Sequence, residues 1–472
     1  MRETLPKGWR ETQFSNYCLI TMGQSPPGNT YNANGNGLPF FQGKAEFGKI
    51  YPTPKKYCNA PKKTAEKGDI LLSVRAPVGP TNICKDYSCI GRGLASIRAY
   101  QQESQSFIYF YLLSIENWLS KQGAGSTFQA IGKEFIYNLP TPIPPLNEQK
   151  RIVAKLDAII PRIDSLKARL DKIPVLIKRF RQSVLTAAVT GKLTETWREE
   201  HSEVESAEVL STGCNFKINS EFKEIQGIPD KWCWCALGNY AQLNRGRFSI
   251  RPRNDPQYYT GSYPFIQIGD LPKEGGYVNA HKQTLNEKGL KVSKKFKKDT
   301  IAIAIVGATI GNTGILSYEM CFPDSLIGIV AKTKVTSLYT EYYLRTEKEN
   351  FRNIAYSSGG QPNIKLPTLT DYPVPLPPLE EQKEIIRQVD KLFTLADKLE
   401  VHYQKAKNRI NKLSQSVLAK AFRGELTPQD PNDEPGEKLL ERIMAEKAKM
   451  ESALKGSNKK GGGQKAKAGS RK

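Results

Sequence analysis

The same helical segment occurs twice in this chain. Residues 144–194 and 377–427 align at a constant offset of 233 positions, with no insertion or deletion. A flexible linker tolerates the gain and loss of residues, so a repeat of unchanged length indicates that the length of the segment matters. The chain is therefore predicted to be a pseudo-dimer on one polypeptide, and its partner should offer two related sites.

Each copy of the repeat carries apolar residues at alternating intervals of four and three. This 3.5-residue period is typical of a helix that pairs along a narrow seam in a coiled coil. The seam positions of the first copy are Ile152, Leu156, Ile159, Ile163, Leu166, Leu170, Ile173, Ile177, Phe180 and Val184. Those of the second copy are Ile385, Val389, Leu392, Ala396, Leu399, Tyr403, Ala406, Ile410, Leu413 and Val417. Because neither seam can bury itself, we expect the two helices to pair.

Two prolines lie within the first helix but off its seam. Pro161 and Pro174 should each remove a backbone hydrogen bond, and a proline inside a helix costs roughly 3 kcal/mol. The second copy has no equivalent proline. The first helix is therefore predicted to be kinked or broken, with its seam still facing the second helix.

A weaker repeat precedes each helix. Residues 9–17 match residues 232–240 at an offset of 223, and Pro39-Phe40 matches Pro264-Phe265 at 225. Short strands with one or two helices predict an α+β fold, and the drifting offset places insertions in the loops. The predicted segments are globular domains at 1–143 and 228–376, helical spacers at 144–199 and 377–427, a linker at 200–227, and a short amphipathic helix with a disordered basic tail at 428–472.

The formal net charge of +23 predicts a polyanionic partner. Nucleic acid is favoured over a membrane surface, because no stretch of eighteen apolar residues exists and no membrane span is expected. The eight cysteines form no CxxC pair and there are only three histidines, so no metal site is predicted.

Patterns for catalysis are incomplete throughout. Residues 254–258 resemble an adenine methyltransferase motif but have Gln257 where the second proline belongs, and the glycines at 23–28 lack the lysine of a phosphate loop. Pro229-Asp230 and Pro323-Asp324 lack the acid-x-Lys element of a nuclease. The chain is predicted to recognise its target without chemistry of its own.

Candidates for DNA contact are polar and basic residues in loops, since base edges are read by side chains that enter a groove. In the first domain they are Lys44, Ser73, Arg75, Arg92, Ser126, Thr127 and Gln129. In the second domain they are Arg245, Arg247, Arg251, Arg253, Thr309, Asn312, Ser358, Gln361 and Asn363. For any one arginine among them, a phosphate contact or a solvated surface position is favoured over base reading.

Each long helix opens on Pro-Pro-Leu-x-Glu-Gln, at residues 144–149 and 377–382. Residues 179–185 with 191–194, and residues 416–426, complete a pattern that resembles the specificity subunit of type I restriction-modification systems, especially the enteric branch. The resemblance covers most of the chain.

This resemblance implies that each domain is a target-recognition domain that reads half of a split site in double-stranded DNA. It also implies that the helices form an antiparallel coiled coil that fixes the gap. Two modification subunits and two restriction subunits would dock, and S-adenosylmethionine, ATP and Mg²⁺ would belong to them, with no cofactor in this chain. The docking candidates are Glu148, Gln149, Lys150, Glu381, Gln382 and Lys383. A cytoplasmic location is expected.

Two alternatives remain open from the residues alone. One is a free-standing bipartite DNA-binding protein, and the other is a self-contained DNA methyltransferase or nuclease. The incomplete catalytic motifs argue against an enzyme, and helices that continue past the recognition domains argue against a free-standing protein. A neighbouring reading frame that encodes a methyltransferase would discriminate among them.

Overall fold

A computed structural model describes residues 5–122, 130–207, 227–357 and 362–462, with side chains to residue 452. The chain divides into two compact units. The first unit comprises residues 1–171 and 405–472, and the second comprises residues 172–404. Each unit therefore contains one globular domain and parts of both helical repeats.

The first half of the chain contains a small mixed domain followed by helices. Its elements are β1 (Arg10–Gln13), α1 (Phe14–Tyr17), β2 (Cys18–Met22), β3 (Tyr31–Asn32), β4 (Leu38–Phe41), β5 (Lys56–Cys58), β6 (Thr64–Ala65), β7 (Ile70–Ser73), β8 (Thr81–Ile83), β9 (Ser88–Ile90), β10 (Leu94–Ala99), α2 (Gln105–Gln122), α3 (Lys133–Tyr137), β11 (Pro140–Ile143), α4 (Leu146–Leu170), α5 (Ile173–Val189) and α6 (Glu195–Glu200).

The second half repeats this plan. Its elements are β12 (Cys233–Ala236), α7 (Leu237–Tyr240), β13 (Ala241–Arg245), β14 (Tyr259–Phe265), β15 (Tyr277–Val278), β16 (Gln283–Leu285), α8 (Glu287–Lys291), β17 (Lys295–Phe296), β18 (Ile301–Ala304), β19 (Thr313–Leu316), β20 (Met320–Cys321), β21 (Leu326–Ala331), α9 (Lys334–Thr346), α10 (Lys348–Ser357), α11 (Leu366–Thr370), β22 (Pro373–Leu376), α12 (Leu379–Phe422) and α13 (Gly436–Gly462).

Each sheet of the first domain shares four strands with a sheet of the second, and each domain has one extra strand, β3 in the first and β15 in the second. The first domain has the sheets β2-β10-β7-β8 and β3-β5-β4-β9-β6, and the second has β13-β21-β18-β19-β15 and β16-β14-β20-β17. A separate antiparallel pair, β1-β11 or β12-β22, joins the start of each domain to the strand that precedes the long helix. The predicted α+β pseudo-repeat is confirmed.

The long helices run antiparallel within each unit. In the first unit, Lys155 Nζ donates to the Leu426 carbonyl at 2.9 Å and Lys167 Nζ donates to Ser414 Oγ at 3.2 Å. In the second unit, Arg181 Nη1 lies 3.4 Å from Glu400 Oε2. Residue numbers fall along one helix as they rise along the other, which confirms the predicted antiparallel pairing.

The first repeat is broken as predicted, and the second is one continuous helix of 44 residues. Helix α4 ends at Leu170 and α5 begins at Ile173, so Pro174 falls in the first turn of a new helix. A proline is tolerated there because the first turn has no intrahelical acceptor for its amide. Pro161 lies inside α4, which continues through it.

The predicted seam is buried only in part. Its ends join the domain cores, as Ile152 and Leu156 do in the first unit and Ile385 and Val389 do in the second. Leu166, Phe180, Leu399 and Leu413, near the middle of the helices, are exposed. The two helices pair as expected, and the pairing buries Ile163, Ile177, Ala396 and Tyr403 while it leaves Leu166, Phe180, Leu399 and Leu413 exposed.

Helix α13 belongs to the first unit and is longer than the short helix predicted for this region. Leu439 and Ile443 pack in the same core as Trp9. The amide of Gly436 donates to the carbonyl of Gly8 at 2.8 Å. The end of the basic tail, residues 463–472, lies outside the described residues.

The Pro-Pro-Leu-x-Glu-Gln segments, here called entry motifs, attach each domain to its helix. The indole Nε1 of Trp9 donates to Glu148 Oε2 at 2.9 Å, and that of Trp232 donates to Glu381 Oε2 at 2.8 Å. Each motif glutamine also donates to the carbonyl of the first motif proline, at 2.9 Å in both copies. The entry motifs therefore fix the direction in which each helix leaves its domain.

This geometry corrects the predicted docking role of the entry motifs. Glu148, Gln149, Glu381 and Gln382 are all buried, so they have no surface to offer to another subunit. Only Lys150 and Lys383 among the docking candidates are exposed, with Lys150 3.4 Å from Glu103 and Lys383 2.6 Å from Glu380.

The two buried glutamates differ in the hydrogen bonding of their second carboxylate oxygen. Glu381 Oε1 accepts hydrogen bonds from Thr194 Oγ1 at 2.7 Å and from Arg198 Nη1 at 2.5 Å. Pro431 stands at the position equivalent to Arg198. Within the described residues, Glu148 Oε1 has no hydrogen-bond partner, and burial raises the pKa of Glu148.

The substitution Glu148→Gln should leave the first unit as stable or more stable at pH 7, whereas Glu381→Gln should cost the second unit about 2 kcal/mol, since it breaks charged hydrogen bonds. Because the folded state holds the Glu148 proton more tightly than the unfolded chain, its contribution is favourable at acid pH and is lost as the pH rises through the folded pKa. The advantage of Glu148→Gln should therefore grow with pH.

Hydrogen–deuterium exchange in graded urea, followed separately in β1 and β12, measures the stability of each unit. Equal losses of protection in the two variants would contradict the difference inferred between the two glutamates.

Candidate nucleic-acid interface

Four exposed arginines of the second domain lie close together around the segment 245–253. Arg245 Nε donates to the Asp324 carbonyl at 2.7 Å, and Arg247 Nη2 donates to the Ser293 carbonyl at 2.8 Å. Arg251 Nη1 donates to the Phe248 carbonyl at 3.1 Å, and Arg253 forms an ion pair with the Asp324 carboxylate. The predicted cluster is thus assembled, but each guanidinium already uses part of its donor set inside the protein.

These contacts suit phosphate binding better than base reading. A guanidinium with one edge held by a carbonyl retains further donors for a phosphate oxygen, while its free movement toward a base edge is restricted. Asp324 also cancels part of the local positive charge, since it faces both Arg251 and Arg253.

Sequence reasoning missed a run of lysines beside this cluster. The run is signalled by the segment Lys-Val-Ser-Lys-Lys-Phe-Lys-Lys at 291–298, and its lysines are exposed. Ser293 Oγ donates to the Arg247 carbonyl at 2.9 Å, and Lys294 Nζ donates to Asn244 Oδ1 at 2.8 Å. The lysine run and the arginine cluster therefore form one basic surface.

In the first domain the candidates separate into exposed and buried groups. Lys44, Arg75 and Arg92 are exposed. Ser73 is buried, and its hydroxyl donates to the carbonyls of Arg75 at 3.1 Å and Pro77 at 2.9 Å. The prediction that Ser73 contacts DNA is wrong in this structure, because its hydroxyl shapes the loop that presents Arg75.

Two of the candidate DNA-contacting residues in the second domain have a buried side-chain oxygen. Asn312 Oδ1 and Asn363 Oδ1 are buried, so neither amide can present both of its polar atoms to a base. Thr309 is half-buried beside them on a short turn. Ser126, Thr127, Gln129, Ser358 and Gln361 lie outside the described residues.

Two equivalent backbone pairings confirm that these loops correspond between the domains. Arg75 pairs with Ala130 in the first domain, and Val306 pairs with Asn363 in the second. Each pairing joins the loop after a buried strand to the polar segment that follows the domain's helices. The scaffold is shared while the residue presented by the loop differs.

Residues 5–122, 130–207, 227–357 and 362–462 contain neither a metal-binding cluster nor a membrane-spanning helix. No cluster of three or more His, Cys, Asp or Glu residues there could hold a metal ion. Among the described helices, none has both the length and the apolar character needed to cross a bilayer.

The family model described as type I restriction modification DNA specificity domain matches residues 6–175 and 229–411. The specificity subunit of the type I restriction enzyme EcoDI from Escherichia coli is 33% identical over 352 residues, covering 72% of this chain and 76% of that protein. The EcoBI specificity subunit from Escherichia coli is 29% identical over 471 residues, covering 93% and 92%. A solved structure that concerns the assembly and conformational transition of a type I restriction-modification system matches 90% of this chain and all of its own, with a TM-score of 0.67 at 21% identity.

Replacing Arg245 or Arg253 with alanine should weaken DNA binding about equally for all sequences and reduce the slope of log K against log salt by about one, as loss of a phosphate contact does. Arg247→Ala should in addition destabilise the second unit by about 1 kcal/mol, because it removes hydrogen bonds to two backbone carbonyls. Fluorescence anisotropy at several salt concentrations measures both the affinity for DNA and the slope of log K against log salt. Arg442→Ala, on α13 of the first unit, is the control. An unchanged salt slope in Arg245→Ala and Arg253→Ala would show that these two residues do not contact DNA phosphate.

Proposed function

Because the chain belongs to the family of type I restriction-modification DNA specificity subunits, we propose that it selects the DNA target of such a complex, each domain reading one half of a split site. Proteins of this family are non-catalytic DNA-recognition components. The modification and restriction chemistry, with S-adenosylmethionine, ATP and Mg²⁺, belongs to partner subunits in this proposal. We place the complex in the cytoplasm, with two modification and two restriction subunits.

One structural observation supports the proposal of a fixed gap between the two DNA half-sites. The core of each domain contains residues from both helical repeats: Ile152 and Leu156 with Leu418 and Ala421 in the first unit, and Val184 and Leu185 with Ile385 and Val389 in the second. Neither repeat folds with one domain alone. A change of spacer length therefore acts on the attachment of both domains, which explains why the two copies have the same length.

The exposed middle of the seam is our candidate for partner docking, in place of the buried entry motifs. Of the seam residues, Leu166 is 46% exposed in the first unit and Leu399 is 48% exposed in the second, where Leu395, four residues before Leu399, is 49% exposed. Leu166 and Leu399 are equivalent positions at the repeat offset of 233. Exposed leucines at helical spacing are covered well by an apolar helix face, so each copy offers one related surface to one modification subunit.

The target-selection proposal is tested by expression of this chain with its cognate modification subunit in a host without adenine methylation, followed by mapping of N6-methyladenine. A single split motif with a constant gap is expected. Insertion of four residues between Asp171 and Lys172, where the helix is already interrupted, adds about 6 Å of helix and should lengthen the gap or abolish methylation while both half-sites stay the same. The same insertion in the linker, between Ser211 and Thr212, should change nothing. A motif with no gap, or a gap that ignores the spacer insertion, would contradict the proposal.

The docking proposal is tested by Leu166→Glu and Leu399→Glu, each of which introduces a charge into one apolar surface. Native mass spectrometry should show one modification subunit lost in each single variant and both lost in the double variant. Lys398→Glu, an exposed polar position next to Leu399, should keep both subunits. Retention of both subunits in the double variant would rule out this surface.

A further inference from the structure

An exposed glutamine stands at the same place in each recognition domain. In the first domain, Phe40 of β4 pairs in parallel with Cys89, and in the second domain Phe265 of β14 pairs in parallel with Cys321. Gln42 and Gln267 each follow two residues after these phenylalanines and are exposed. The strand register makes the two glutamines equivalent, in agreement with the offset of 225 that relates Pro39-Phe40 to Pro264-Phe265.

The backbone at each glutamine is held on both sides. The preceding phenylalanines are buried, and a carboxylate closes the turn that follows. Glu46 Oε2 accepts from the Gly43 amide at 3.1 Å, and Asp270 Oδ2 accepts from the Gln267 amide at 2.9 Å. A side chain mounted on such a fixed turn loses little backbone entropy when it binds a ligand.

The glutamine amides keep hydrogen-bonding capacity. Among the described residues, the side chain of Gln42 has no hydrogen-bond partner, and Gln267 Nε2 donates to Gln283 Oε1 at 2.8 Å. Gln42 therefore retains its full amide, while Gln267 retains its carbonyl oxygen and one amide hydrogen.

A charged residue of the next loop accompanies each glutamine. The β9–β10 connection lies against Gln42 so closely that a Cβ on Gly93 would be 2.2 Å from the Gln42 carbonyl, and this connection carries the exposed Arg92. The β20–β21 connection carries Asp324, and its neighbours Pro323 and Ser325 line one small cavity with Gln267 and Arg253. The same position is thus basic in one domain and acidic in the other.

We propose that Gln42 and Gln267 each read an adenine in the major groove, one in each half-site. The Nε2 amide would donate to adenine N7 and the Oε1 oxygen would accept from the adenine N6 amino group, a pair of bonds that a glutamine makes with adenine and with no other base. Arg92 then reads a neighbouring position of the first half-site, because a guanidinium suits guanine, whereas the Asp324 carboxylate at the equivalent place is held by Arg251 and Arg253. This inference rests on the proposed function.

The test maps N6-methyladenine for the complete complex that carries Gln42→Ala or Gln267→Ala. Each variant should relax the preference for adenine at one position of its own half-site, about tenfold or more, while the other half-site and the gap stay unchanged. Gln42→Glu, of nearly the same size, should disfavour the adenine at that position. Gln404→Ala, an exposed glutamine on α12, is the matched control and should keep the complete motif.

A binding assay with modified DNA tests the glutamine contact even where a variant complex gives no methylation. Replacing the read adenine with 7-deazaadenine removes the N7 acceptor and should weaken wild-type binding about tenfold, whereas Gln42→Ala should bind both DNAs alike. A wild-type split motif that both alanine variants leave intact, or equal sensitivity of wild type and variant to 7-deazaadenine, would overturn this inference alone. Absence of a split motif in the wild type would overturn the proposed function itself.

Discussion

A buried hydrogen bond between an indole and a carboxylate fixes where each recognition domain meets its helix. Trp9 with Glu148 and Trp232 with Glu381 join the first strand region of a domain to the first turn of the helix that follows it. The strand pairs β1-β11 and β12-β22 close the same junction through the backbone. Burial of a carboxylate is unfavourable without such a donor, so the tryptophan and the glutamate depend on one another.

The two junctions have the same design but different electrostatics. Arg198 forms an ion pair with Glu381, whereas Pro431 stands where the offset of 233 would place a counterpart of Arg198. The first unit instead places an ion pair nearby, between Arg151 and Asp433 at 2.5 Å, and Arg151 lowers the pKa of Asp433. Pseudo-symmetry is therefore preserved in the backbone while the charges diverge, as expected for repeats that fold alike but follow different chain connections.

The recognition surface shows the same division between scaffold and presented side chain. The Ser73 hydroxyl maintains the shape of its loop, and the side-chain oxygens of Asn312 and Asn363 are buried. In our proposal the exposed cations, which are the arginine cluster and the lysine run, supply the charge that attracts DNA, and a phosphate contact carries no sequence information. Selectivity then depends on the few exposed side chains whose donors and acceptors match a base edge, and Gln42 and Gln267 are the pair that the shared strand register singles out.

The sequence by itself determined the repeat, its length, the pairing helices, the broken first helix and the α+β class, because hydrophobic period, proline positions and a constant offset are local properties of the chain. It also predicted the arginine cluster, which is dense in sequence. Only the tertiary structure decided that Glu148, Gln149, Glu381 and Gln382 are buried, that Leu166 and Leu399 are exposed, and that Gln42 and Gln267 follow directly on buried, paired strands. The physical reason is that burial and strand pairing depend on partners far away in sequence, such as Trp9 for Glu148 and Cys89 for Phe40, which no local pattern identifies.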